Sequence, residues 1–383
     1  MKHAINTSIY LTLLAVLFLT ACDKTDYIPE KPSTPSIPTN PNNPGNGPSV
    51  DSTVVNLRMA IRIGEVVYDS IPFTADITSF SGATQVNHQN FNLKPGTNQI
   101  ALMGTHDRYL IKVSKWGITD EMTLTKAQLK DMGVITMGGS KGAKKLTMEE
   151  TFTLADAGTF AQGKTLYKYD GAGRLIRAIY YQKKPQQADL QVTLVDKFVY
   201  ESNGRLDRID RFDAFRDTVT VPASFTAFNY DVQGRVVEIY NNQTTETAAR
   251  VRYGIENRYA TTSIDYYYEN NASLSYTAKY LGGNKVADGA RSSRGDSEGG
   301  TYTYDSNINP YIHMAWPDLY LSHESKNNVV AQQKSYAGAY PSGDPYKMEY
   351  RYDADGYPLD KITTYKSVFT GADVYRIKTV YTY

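Results

Sequence analysis

Tyr169-Asp170-Gly171-Ala172-Gly173-Arg174-Leu175 reads as a tight turn between two strands, and the chain repeats it six more times. Close copies are Tyr200-Glu201-Ser202-Asn203-Gly204-Arg205-Leu206, Tyr230-Asp231-Val232-Gln233-Gly234-Arg235-Val236 and Tyr352-Asp353-Ala354-Asp355-Gly356-Tyr357-Pro358; looser ones run Tyr253 to Tyr259, Tyr280 to Val286 and Tyr304 to Tyr311. Each unit is one supersecondary element that buries nothing without its neighbours. Asp170 opens the turn by accepting from nearby backbone, and Gly173 supplies the positive φ that ends a type I turn in a bulged hairpin. Gly173, Gly204, Gly234 and Gly356 hold that place. Asn257, Asn284 and Asn309 are expected to fill it in the looser copies, because asparagine tolerates the left-handed conformation next best. After the turn, Arg174 to Tyr181 and Arg205 to Phe212 resume an extended pattern rich in aromatic and branched residues. The expected fold is all-β, with residues 146–383 forming a strongly curved antiparallel β-meander or incomplete barrel.

The chain has 383 residues, enough for two domains. Its 41 basic and 40 acidic residues give a formal charge of +1, so no large field points to nucleic acid as a partner. Tyrosine, at 32 copies against 12 phenylalanines, is the outlier and suits half-buried sheet faces with one wet end.

At the N-terminus, Lys2 and His3 precede an apolar run from Ile9 to Leu19 that is too short for a stable membrane helix and ends at Leu19-Thr20-Ala21-Cys22. This resembles a bacterial lipobox. The resemblance implies a signal peptide over 1–21 and a lipid anchor on Cys22, the only cysteine. A lone cysteine also excludes an internal disulfide. Residues 22–52 carry Pro29, Pro32, Pro35, Pro38, Pro41, Pro44 and Pro48 among small polar residues and read as a disordered tether.

Residues 53–140 read as a small β domain. Leu57, Met59, Ile61 and Ile63 alternate with mostly polar neighbours, a strand with one buried face. Further strands are expected at Phe73 to Ile77, Phe91 to Leu93, Asn98 to Met103 and Arg108 to Trp116. Their short spacing suggests an immunoglobulin-like sandwich. Thr125-Lys126-Ala127-Gln128 is a capping box opening one short helix to about Asp131. Gly138-Gly139-Ser140-Lys141-Gly142 lacks phosphate-loop spacing and reads as a flexible linker.

The turn motif of the second domain resembles the tyrosine–aspartate (YD) repeats of the Rhs and teneurin families. Together with the lipobox, the tether and the front β domain, it resembles a bacterial lipoprotein family of unknown function with a porin-like fold; Asn309-Pro310-Tyr311 and Ser325-Lys326-Asn327-Asn328 look like that family's markers. The resemblance implies an outer-membrane, lipid-anchored location at the cell surface or the periplasmic face. A membrane-spanning barrel is not expected, because Leu206-Asp207-Arg208-Ile209-Asp210-Arg211-Phe212 carries charge on both faces.

Chemistry is sparse. His88 and His106 sit in segments read as polar loops, and His313, Asp318, His323 and Glu324 have neither helical nor compact zinc spacing, so no metal and no cofactor are expected. No nucleophile elbow or nucleotide loop appears, and no enzyme is expected. The aromatic insertion Tyr311 to Tyr320 breaks the hairpin rhythm. It reads as a plug for the open end of the sheet or, through Tyr311, Trp316 and Tyr320, as a ligand contact. Two functions lead: a non-catalytic surface module binding glycan or peptide, or an accessory lipoprotein packed on another envelope protein; a glycan-active enzyme trails both.

Overall fold

Alternation at Leu57, Met59, Ile61 and Ile63 produces strand β1 (Thr53–Ile63), whose four apolar side chains are at most 1 % exposed. The computed structural model describes residues 53–383 except 103, 105, 155–161, 184–186, 214–220, 242–247, 268–272, 294, 296, 315–324, 338–344 and 368. These fall into two compact units, residues up to 143 with 354–356, and 144–353 with 357–383.

In the first unit, β2 (Val66–Tyr68), β3 (Phe73–Ser81), β4 (Thr84–Leu93) and β5 (Asn98–Leu102) follow β1. Then come β6 (Arg108–Lys115), β7 (Ile118–Thr125), helix α1 (Lys126–Asp131) and β8 (Val134–Lys141). They make two four-stranded sheets, β4-β3-β6-β7 and one in which β2, β5 and β8 all pair with β1. Helix α1 starts on the expected capping box, with Thr125 and Gln128 each satisfying the other's backbone N–H. The expected linker at Gly138 is instead part of β8, which pairs parallel with β1. Its glycine has a packing cause: at φ 148° any Cβ on Gly138 would collide with the Ala60 carbonyl. His88 likewise lies in strand β4 rather than a loop, beside Thr78 Oγ1 at 3.1 Å.

The second unit opens with β9 (Met148–Thr153), and seven hairpin-like pairs follow. They are β10 (Gln162–Tyr169) with β11 (Leu175–Lys183), β12 (Gln191–Tyr200) with β13 (Leu206–Asp213), and β14 (Ser224–Tyr230) with β15 (Val236–Asn241). Next are β16 (Ala249–Glu256) with β17 (Tyr259–Tyr267) and β18 (Ser273–Leu281) with β19 (Asn284–Ser292). The last are β20 (Ser297–Ile308) with β21 (Asn327–Ala337) and β22 (Tyr346–Tyr352) with β23 (Pro358–Lys366), before the final β24 (Asp373–Thr382). Seven motif copies account for fourteen strands; β9 and β24 carry no copy and pair with each other, Thr382 opposite Met148 and Ile377 opposite Thr153. The incomplete barrel is thereby corrected to a closed barrel of sixteen antiparallel strands.

Gly173, Gly204, Gly234 and Gly356 have φ of 82°, 86°, 78° and 84°, and the register slips beside the tyrosine of each of these copies. Asn257 takes the same region at φ 55°. Two expectations fail. In the Tyr280 copy the turn is made by Gly282 and Gly283, φ 59° and 82°, and Asn284 is already in β19. Asn309 has φ −81° and caps a short 3₁₀ turn, Pro310–His313, by accepting from the Tyr311 N–H.

A barrel of sixteen strands is wide enough to enclose a water channel. Here the inner face carries an apolar cluster with tyrosines packed against it, among them Phe198, Ile209, Phe228, Val251, Ile264, Tyr266 and Tyr276. Met314, 3 % exposed, belongs to that cluster. The excursion between β20 and β21 is tied at its base by buried polar residues. Asn328 Nδ2 donates to Ile308 O at 3.0 Å, Asn327 Nδ2 to Asn307 O at 2.8 Å, and Asn309 Nδ2 to Ser325 O at 2.9 Å. This is a structural reason for the two markers noted in the sequence.

Because side chains alternate along a strand, the neighbours of the inward Phe198, Ile209 and Val251 point outward. Outside, Lys197 faces Asp210, Arg250 faces both Glu238 and Asp265, and Arg351 faces Asp360. On a lipid-facing wall each such Lys or Arg near mid-membrane would cost about 2–4 kcal/mol. The outer wall carries paired charges at these positions.

Candidate functional site

The motif copies join each even-numbered strand to the next, so all their turns gather at one mouth of the barrel. There the recurring residues form a ladder. Asp170 accepts from the Arg174 backbone N–H at 2.8 Å and from its Nε at 2.8 Å, and Asp231 treats Arg235 identically. These bonds, the backbone ones foremost, hold both carboxyls below the usual aspartate range. Each arginine then lies over the tyrosine of the following copy: Arg174 over Tyr200 at 4.8 Å, Arg205 over Tyr230 at 4.9 Å, Arg235 over Tyr253 at 4.6 Å. The tyrosine reaches back. Tyr200 OH donates to Leu175 O at 2.7 Å, Tyr230 OH to Leu206 O at 2.7 Å, and Tyr253 OH to Val236 O at 3.0 Å. Each acceptor is the first residue of the preceding return strand. Burial pushes the Tyr200 and Tyr230 phenols up to about 12, so both are neutral donors near pH 7.

Along the copies at 200, 230, 253 and 280 the mouth holds a cavity of about 890 Å³. Its walls include Tyr200, Tyr230, Tyr253 and Tyr280, the apolar Leu206, Val236 and Ile255, and three arginines, 205, 235 and 258. Ile255 is 86 % exposed, so the cavity opens to solvent. The size and the mixture of aromatic surface with a few polar groups suit a small organic ligand. A second pocket of about 110 Å³ lies farther along the wall. In it Asp288 Oδ2 accepts from Tyr302 OH at 2.6 Å, Tyr276 OH at 2.8 Å and Lys285 Nζ at 2.9 Å. Glu298 Oε2 and Gln332 Oε1 are buried there without hydrogen-bond partners among the described residues. Burial pushes the Glu298 carboxyl above its usual range.

Of the residues singled out in the sequence, Tyr311 is turned into the barrel. Its OH donates to Glu149 Oε2 at 2.5 Å and its ring meets Tyr381 edge-on at 6.3 Å. Trp316 and Tyr320 lie outside the described residues, as do Cys22, Asp318, His323 and Glu324. His313 ends the 3₁₀ turn 6.3 Å from the Tyr357 ring, and His106 stands beside Tyr109. The mouth cavity was missed by sequence reasoning. Its signal was present: an arginine directly follows the turn glycine at 173, 204 and 234, and an aromatic opens every copy.

No family model matches the chain, and no curated protein matches its sequence. Among solved structures it is similar to a porin-like protein from Bacteroides uniformis ATCC 8492, at 12 % identity and a TM-score of 0.43 over 63 % of this chain and 98 % of that one. A porin-like protein from Bacteroides vulgatus ATCC 8482 aligns at 12 % identity and a TM-score of 0.33, over 62 % and 98 %. At these values the likeness carries no weight, and the closed barrel rests on its own strand pairing.

Proposed function

We propose that the chain is a lipid-anchored envelope protein, held in the outer membrane through Cys22, whose barrel mouth binds a saccharide without turning it over. The observation that carries this is the open cavity of about 890 Å³ with four tyrosines in its wall. Tyrosine rings offer flat apolar faces for sugar C–H groups and hydroxyls for sugar oxygens. The first unit is read as an immunoglobulin-like sandwich, supported by the alternating burial of β1 and β3. The anchor is supported by the Leu19-Thr20-Ala21-Cys22 sequence alone.

A glycan array probed with the full-length protein in detergent tests the binding reading. Saccharide capture that falls at least tenfold in Tyr280→Ala, with the melting transition retained, supports it; capture unchanged by that substitution moves the ligand elsewhere. Metabolic labelling with an alkyne fatty acid tests the anchor, and label persisting in Cys22→Ser refutes it.

A further inference from the structure

The arginines of the mouth assign the charge of the ligand. Resting on the mouth-binding reading above, we propose that the saccharide is anionic, presenting a carboxylate or a sulfate ester to Arg205 and Arg258. Three arginines and no carboxylate line the cavity. Arg235 is neutralised by Asp231, with Nη2 2.7 Å from Oδ2. The copy at 200 differs at the two positions that set the clamp, Glu201 and Asn203. Glu201 stands where the neighbouring copies have aspartate, and its carboxylate accepts from Asn203 Nδ2 at 2.7 Å. The Arg205 backbone N–H goes to Asn203 Oδ1 at 2.8 Å instead. Arg205 keeps its place over Tyr230 and has no carboxylate among the described residues.

Arg258 reaches the same state by another route. It follows Asn257 in a two-residue turn, lies over the Tyr259 ring at 5.4 Å and contacts Tyr259 OH at 3.4 Å. The nearby Glu256 is taken by Lys279 at 3.1 Å. A guanidinium stacked on a ring keeps its N–H edge open, and that planar edge matches the two oxygens of a carboxylate or a sulfate. Stacking also holds the side chain in place, which reduces the ordering lost on binding.

Isothermal titration of the full-length protein with galacturonate oligosaccharides, which carry only carboxylates, sulfated dextran oligosaccharides, which carry only sulfate esters, and neutral dextran oligosaccharides tests this. At least one anionic series should bind, more weakly as salt is raised, and whichever does identifies the oxyanion. Arg205→Gln and Arg258→Gln should each weaken it about tenfold, while Arg62→Gln, at an exposed position of β1, should leave it unchanged. Glu201→Asp with Asn203→Ala should weaken binding without altering any lining residue, by recreating the clamp seen at Asp170 and Asp231. Circular dichroism checks that each variant folds. Neutral oligosaccharides binding as tightly as anionic ones, or Arg205→Gln and Arg258→Gln both without effect, overturns the anionic assignment and leaves the mouth as a saccharide site. No binding of either kind overturns the mouth reading itself.

Discussion

Replacing Tyr230 by phenylalanine isolates one rung of the ladder. The ring stays beneath Arg205 and only the 2.7 Å bond from the hydroxyl to Leu206 O is lost. A typical hydrogen bond contributes about 0.5–1.5 kcal/mol net, and a carbonyl left buried without a partner costs about 1–3 kcal/mol. Leu206 is 4 % exposed, which places the expected loss at about 1–2 kcal/mol. For a barrel of this size that corresponds to a fall of roughly 2–8 °C in the melting temperature. Tyr230→Leu also removes the surface under the guanidinium and should lose about 0.5–1 kcal/mol more. Differential scanning calorimetry on the barrel transition measures both, with Tyr200→Phe and Tyr253→Phe expected to behave alike because they make the same bond. If all three phenylalanine variants melt with the unaltered protein, the hydroxyl rungs hold nothing, and the recurrence of tyrosine needs another cause.

Arg211→Met should destabilise the barrel by about 2–4 kcal/mol in urea titration, because it leaves Asp196, whose side chain is 0 % exposed, with the Tyr180 hydroxyl at 3.2 Å as its one side-chain partner among the described residues. Burial lowers the His313 pKa from 6.5 to about 4, so between those values the unfolded chain takes up a proton that the folded one refuses. Stability is then lost as pH falls from about 6.5 to about 4, on the order of 3 kcal/mol, and His313→Leu should flatten that part of the stability curve. Glu298 has the opposite sign. Its carboxyl is pushed up by burial, so the folded state holds a proton the unfolded state releases, and stability falls as pH rises above the ordinary glutamate range. Glu298→Gln should be more stable than the unaltered protein at pH 7 and lose that advantage toward pH 4, as read by urea midpoints.

Backbone conformation was the most legible feature, since positive φ is a local demand that Gly173, Gly204, Gly234 and Gly356 meet without help from distant residues. Closure was not legible. Thr382 pairs with Met148 across more than half of the chain, and no motif marks either strand. Asn284 misled because the preceding Gly282 and Gly283 already complete that turn, and Asn309 because its side chain caps a 3₁₀ turn. Gly138 looked like a linker residue for want of its partner, the Ala60 carbonyl, which only tertiary pairing supplies. The outer wall was half legible: charges at Arg208 and Asp210 argued against lipid, while the inward Arg211 is spent on Asp196.

The ladder explains why a repeat can carry a site without being disrupted by it. Three of its parts are structural: the aspartate fixes the turn and the arginine, the arginine covers the next tyrosine, and the tyrosine holds the previous strand. A copy that loses only the aspartate–arginine link keeps the stack and the hydroxyl bond, as the copy at 200 does, with Arg205 still over Tyr230 and Tyr200 still on Leu175. What is given up is one partly exposed ion pair, worth about 0–1 kcal/mol. What is gained is a fixed cation with an open edge. The cheapest place to put a binding group in this barrel is therefore the sixth position of a copy whose second residue is not aspartate, and Arg205 occupies that place beside the cavity.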